Sequence, residues 1–189
     1  MAAEFDLARV NKNAAQFDVD KLRAINGDKI RALEPADFAA RLTPFLQRLR
    51  LIGDPPSEQE AALIAAAAPL VQERSGDLVE AAGMLVFLFV PEASFAVEAA
   101  DAERALGADA APVLHAAHAA LEGVGCWTAG AIEDALRTAL VEKMGLKPRA
   151  AFGPVRAAVT GRRISPPLFE SIELLGRERA VGRLARAVA

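Results

Sequence analysis

Residues 78–90 read LVEAAGMLVFLFV and carry one charge, Glu80. A helix written in these residues has no polar face, so other elements must surround it. The run also falls short of the roughly 20 apolar residues that a bilayer crossing requires. It predicts a core helix at the centre of a helical bundle. The rest of the chain agrees: apolar residues recur at spacings of three and four, Ala is abundant, and no long alternating β-branched run occurs. An all-α chain without a sheet is therefore expected. With 53% hydrophobic residues over 189, the chain can bury one ample core or two small helical lobes and is not mainly disordered.

Caps and breakers divide the chain. Asp18 or Asp20 is placed to cap a short helix through Leu22 and Ile25 that ends at Gly27, and Pro35 suits the first turn of a helix carrying Phe38, Leu42, Phe45 and Leu49. Pro55 and Pro56 force a break before a long helix from about Ser57 to Glu73; Gly76 stops it and Asp77 caps the apolar helix. The stretch 91–108 is acidic and reads as a hinge between an N-terminal lobe, 1–90, and a C-terminal lobe, 109–189. The second lobe opens with a helix from Asp109 to Leu121. A further helix, capped by Thr128 and carried by Ile132, Leu136 and Leu140, stops at Gly145.

A net charge of -3 hides an asymmetry. Residues 141–189 hold ten Lys and Arg against four Asp and Glu, a balance of +6, which leaves -9 for the remainder. Such a basic end suits a polyanion, although a solvated basic face has the same composition. The single Cys excludes a disulfide framework, and with no basic-plus-apolar leader before the first charges a reducing, cytoplasmic setting is expected. No membrane partner is expected.

The segment 153–178, GPVRAAVTGRRISPPLFESIELLGRE, sets three of these arginines, Arg156, Arg162 and Arg163, close together. Gly153 and Pro154 are expected to start a helix of two turns with Arg156 in its first turn and Gly161 as a left-handed stop. Ser165 is placed to cap the next helix, in which Leu168, Phe169, Ile172 and Leu175 face inward until Gly176. Two helix N-termini would then approach a loop bearing Arg162 and Arg163, where anions or base edges are welcome. In the last helix Arg179, Arg183 and Arg186 recur on one face, opposite Val181, Leu184 and Val188, as a basic stripe. Spacing alone is equally satisfied by a well-capped corner whose arginines are solvated.

His115 and His118, with Glu122, have a two-ligand spacing, but His118 shares a face with Leu114 and Leu121 and no second cluster completes a tetrahedral site. Cys126 beside Trp127 has no base nearby in sequence. Both read as packing, and neither a metal nor a catalytic residue is expected.

The string FGPVRAAVTGRRISPPLFESIELLGRERAVGRL resembles the C-terminal signature of bacterial glutamyl-tRNA synthetases: a Pro-x-Arg-x-Ala-x-Thr-Gly helix, a Ser-Pro turn and a Leu-Leu-Gly-Arg/Lys-Glu helix. The resemblance extends to FDLARVNKNAAQFDVDKLRAINGDKIRAL, similar to the family's link out of its stem-contact region, to VQERSGDLVEAAGMLVFLF and to CWTAGAIEDALRTALVEKMGLK. It weakens between Pro91 and Val124. Lys29 stands where the family commonly has Tyr. The family's catalytic Rossmann-type domain, with its His-x-Gly-His and Lys-Met-Ser-Lys-Ser elements, has no counterpart here.

This resemblance implies an α-helical cage that holds the anticodon arm of tRNA(Glu). The chain is then a piece of a synthetase or a free-standing copy of its C-terminal region. It is expected as a monomer, partnered by the catalytic part of the synthetase. No cofactor is expected on this chain, ATP and magnesium belonging to the missing catalytic domain, and no charging of tRNA by the chain alone. Arg74, Arg156, Ser165 and Leu168 match positions of the family's anticodon-contacting residues; Arg162, Arg163, Arg179, Arg183 and Arg186 would hold phosphates. Unstacked loop bases expose edges that arginine forks and hydroxyls can read, and Leu168 could support a base face. For Arg74 an ion pair near Glu73 is the competing reading. A helical protein-interaction module derived from the same domain, without RNA binding, remains the alternative.

Overall fold

The computed structural model describes residues 18–107 and 109–188; the first part of the linking motif, 5–17, lies outside them. Among the described residues there are ten α-helices and no strand. Helix α1 (Val19–Arg31) begins where the Asp18 carboxylate accepts the Lys21 N–H at 3.0 Å. It runs through Gly27 instead of ending there, because the next turn buries Ile30 in the core. Its C-terminal carbonyls are capped from afar: buried Gln72 donates to the carbonyls of Ile30 (2.9 Å) and Leu33 (2.8 Å).

Helix α2 (Pro35–Arg48) places Pro35 in its first turn and buries Phe38, Leu42 and Leu46 completely. After the Pro55–Pro56 break, α3 (Glu58–Gln72) is opened by a reciprocal cap. Ser57 Oγ accepts the Glu60 N–H and the Glu60 carboxylate accepts the Ser57 N–H at 2.7 Å. Asp77 caps α4 (Leu78–Phe89), accepting the Glu80 N–H at 2.8 Å. Leu85, Phe87 and Leu88 of α4 are buried, each Leu or Phe contributing about 1.5–3 kcal/mol. The helix is not wholly enclosed, however: Val79 is 66% exposed, so one apolar face lies open.

The acidic stretch after α4 carries structure of its own, a 3₁₀ turn at Glu92–Ser94 and helix α5 (Ala99–Ala105). The Glu98 N–H donates to the Gly161 carbonyl at 2.9 Å, fastening this stretch to the end of a later helix. Helices α6 (Ala110–Glu122) and α7 (Ala129–Leu136) follow, α7 capped by Thr128. A π-helical segment, Arg137–Lys143, continues α7, and Gly145 closes it in the left-handed conformation.

Helix α8 (Pro148–Thr160) is longer than the two turns expected from Gly153 and Pro154. Pro148 takes the first-turn role, and Pro154 sits inside the helix, preceded by a glycine without the Cβ that would meet the proline ring. Gly161 stops α8 with φ +80°. Helix α9 (Leu168–Leu175) ends at Gly176, φ +86°, and α10 (Arg177–Val188) completes the chain.

Helices α2, α3 and α4 pack on one another, as do α6 with α10 and α7 with α9. Contacts of α3 with α9 and of α4 with α8 join these groups, and the buried side chains form one cluster from Ile30 to Leu184.

Candidate nucleic-acid interface

The turn Ser165–Pro166 collects side chains from the end of α3 and from α8. Arg156, on α8, directs Nη1 to the Ser165 hydroxyl oxygen at 2.7 Å and to the Pro166 carbonyl at 2.7 Å. The Ser165 hydroxyl itself donates to the Pro166 carbonyl. From the end of α3, Arg74 reaches the Ser165 carbonyl, with Nη1 at 3.5 Å. Among the described residues neither arginine makes a salt bridge. Burial and then the nearby Arg74 charge push Arg156 below the ordinary arginine value, partly offset by Glu170 on α9. Arginine remains charged under such pressure, so the pair forms a positive corner that rewards an anion or an electron-rich base edge.

Several expectations for this corner need correction. Ser165 does not cap α9: the N-cap position is Pro167, and the Ser165 hydroxyl is spent on Arg156 and Pro166. Because α8 starts at Pro148, Arg156 lies in its third turn and takes no support from the helix N-terminus. Leu168 is 3% exposed and packs in the core, so its side chain presents no face to a base. Arg162 is ion-paired with Glu98, and the Arg163 backbone N–H donates to Asp101 at 2.9 Å while its side chain stays exposed.

The supposed basic stripe of α10 is an internal cluster. Arg183 is 1% exposed and donates to Glu92, to the Val159 carbonyl (2.6 Å) and to the Phe87 carbonyl (2.9 Å), with its guanidinium 3.5 Å from the Phe95 ring centroid. Arg179 donates to Glu92 and to the carbonyls of Leu88 (2.7 Å) and Val90 (3.0 Å). Arg186, more exposed, also pairs with Glu92. Burial alone would raise the Glu92 carboxyl, but hydrogen bonds from Arg183, Arg179 and Arg186 overcome it and hold the group down at about 2. Arg183 thus has no surface from which to meet a phosphate, and Arg179 has its donors committed; both tie α10 to the end of α4.

Beside the Arg156 corner lies an open groove of about 840 Å³ between α4, α5 and α8. Arg149, Arg104 and Arg163 line it, together with apolar Val79, Met84 and Ile164. The sequence reading missed Arg104 and Arg149. Arg104 is hidden in an acidic stretch, and Arg149 was set apart from the corner by the expected helix start at Gly153.

The family described as the anticodon binding domain matches residues 37–188, most of the chain. The chain belongs to the anticodon-binding-domain family. The glutamate–tRNA ligase of Acidothermus cellulolyticus is 57% identical over 189 residues, which is all of this chain and 38% of that protein. The ligase of Rhodococcus jostii is 54% identical over 187 residues, again 38% of its length. The domain therefore spans well under half of these curated relatives. A crystal structure of a glutamate tRNA ligase from Elizabethkingia meningosepticum superposes with TM-score 0.74 over 98% of the domain and 35% of that chain; at 20% identity the shared feature is the fold. Among the described residues no helix is long and apolar enough to cross a membrane.

Proposed function

We propose that this anticodon-binding domain holds the anticodon arm of a glutamate tRNA and positions that tRNA for a ligase. The catalytic part, with its ATP and magnesium chemistry, would correspond to the portion of the relatives that the domain does not cover. The supporting observation is the convergence of Arg74 and Arg156 on the Ser165–Pro166 turn, with no salt bridge to either among the described residues. Arg156 is held by two hydrogen bonds from one nitrogen, which leaves the rest of its fork directed by a fixed hinge, and a fixed fork suits a base edge. Arg74 adds charge from the other helix group, so the helices α1–α4 and α6–α10 act as two lobes that both touch the loop. Arg163, exposed beside the corner, serves phosphate.

Fluorescence anisotropy at low salt tests this reading. The 189-residue chain should bind the anticodon stem-loop of a glutamate tRNA in preference to the same stem-loop with a changed anticodon. Equal affinity for both, or equal displacement by an acidic polypeptide of matching charge, contradicts it and favours a protein-binding module.

A further inference from the structure

Among the described residues the two most exposed large apolar side chains are Ile164, 82%, and Val79, 66%. They come from different elements, the loop after α8 and the first turn of α4, yet both line the same groove, as does Met84 of α4. Single exposed apolar residues are ordinary, but two aligned on one concave surface mark a place where something apolar sits. Gly83, facing the same space, leaves the floor open: a Cβ there would meet only the tip of Arg162.

The charges around the groove are not balanced by its carboxylates. Glu98 is occupied by Arg162, Asp101 accepts the Arg163 backbone N–H, and Glu80 accepts the Gly76 N–H while pairing with Arg23. The Arg149 and Arg163 side chains are exposed and, among the described residues, make no salt bridge. Apolar walls with cations at the rim match the make-up of one chemical class in particular, an unstacked nucleotide, whose base is flat and poorly solvated and whose phosphate is anionic. The volume of about 840 Å³ falls within the range of roughly 300–1,000 Å³ typical of small-molecule sites.

We propose that Val79, Met84 and Ile164 seat an unstacked loop base next to the one at Arg156, and that Arg149 and Arg163 hold its phosphate. This rests on the RNA reading above and deepens it. The seat is indifferent to base identity, because an aliphatic surface contacts the face of any base and offers no hydrogen bond to read an edge. Affinity would come from the seat and discrimination from Arg156.

The full chain and the stem-loop used above, carrying 2-aminopurine at each loop position in turn, provide the test. Val79→Ser with Ile164→Ser changes only exposed side chains, so folding is retained and checked by circular dichroism. Expected are a fall in stem-loop affinity of about tenfold, the same for cognate and changed anticodons, and loss of the fluorescence change at one loop position. Binding of a blunt duplex stem should be unaffected. Arg149→Ala should lower the salt dependence by about one charge. Unchanged stem-loop affinity in the double variant, or equal weakening of loop and duplex, overturns the seat while the Arg156 reading stands. A wild-type chain that fails to distinguish stem-loop from duplex overturns both.

Discussion

The Arg183 guanidinium lies 2.6 Å from the Glu92 carboxylate although the two residues are 91 positions apart. One is nearly fully buried on α10, and the other stands in the turn that follows α4. Glu92 also receives Arg179 and Arg186, so a single carboxylate bridges three arginines, leaving the cluster positive, and ties the last helix to the acidic stretch. Removing one member of such a buried pair leaves an uncompensated charge, which costs far more than an exposed pair contributes.

Glu92→Gln should therefore destabilise the chain by roughly 3–5 kcal/mol near neutral pH. Because the Glu92 carboxyl is depressed from 4.5 to about 2 in the folded state, its stabilisation is complete above about pH 4.5 and is lost as pH falls toward 2. The stability gap between wild type and Glu92→Gln should narrow across that window. Urea unfolding followed by far-UV circular dichroism at several pH values measures it; a gap that stays constant contradicts the assignment.

Two arginines that look equivalent in sequence should behave differently. Arg183→Ala is expected to cost about 2–5 kcal/mol, since it empties a fully buried site and withdraws a donor from the Val159 and Phe87 carbonyls, leaving half-buried Glu92 to Arg179 and Arg186. Arg186→Ala, at an exposed position, should cost no more than about 1 kcal/mol. Thermal unfolding of the two variants decides; similar losses would mean that Arg183 is not the centre of the cluster.

Gly161→Ala should destabilise by roughly 1–3 kcal/mol. Its φ of +80° disfavours any side chain, and an added Cβ would stand 3.1 Å from the Ala96 carbonyl oxygen and 3.3 Å from the Phe95 ring. Since this glycine ends α8 just ahead of the Arg156 corner's loop, RNA affinity should fall along with stability. An unchanged denaturation midpoint contradicts this account of the turn.

Much of the helical frame was legible because it depends on local chemistry. Asp18, Asp77 and Thr128 cap where short polar side chains precede apolar periodicity, and Gly145, Gly161 and Gly176 stop helices at positive φ. The start of α8 was misplaced because Pro154 reads as a helix opener, whereas Pro148 had already opened the helix. The α10 stripe was misread for a different reason. Arginines at spacings of three and four look the same whether they face water or a carboxylate, and that carboxylate, Glu92, sits far away in a stretch that reads as a connector. At the corner itself Arg74, Arg156 and Ser165 do come together, but burial of Leu168 and the commitment of Ser165 to Arg156 are products of packing that no motif displays.

The central claim is that Arg156, fixed by Ser165 and Pro166, reads the identity of an anticodon base. The most direct measurement is the ratio of affinities for cognate and changed anticodon stem-loops, taken for wild type and for Arg156→Ala over a salt series. The expected result is a loss of about 1–3 kcal/mol on the cognate loop, a ratio that falls toward one, and little change on the altered loop. Equal weakening of both loops, with the ratio preserved, would contradict the claim and leave Arg156 as no more than part of a basic rim.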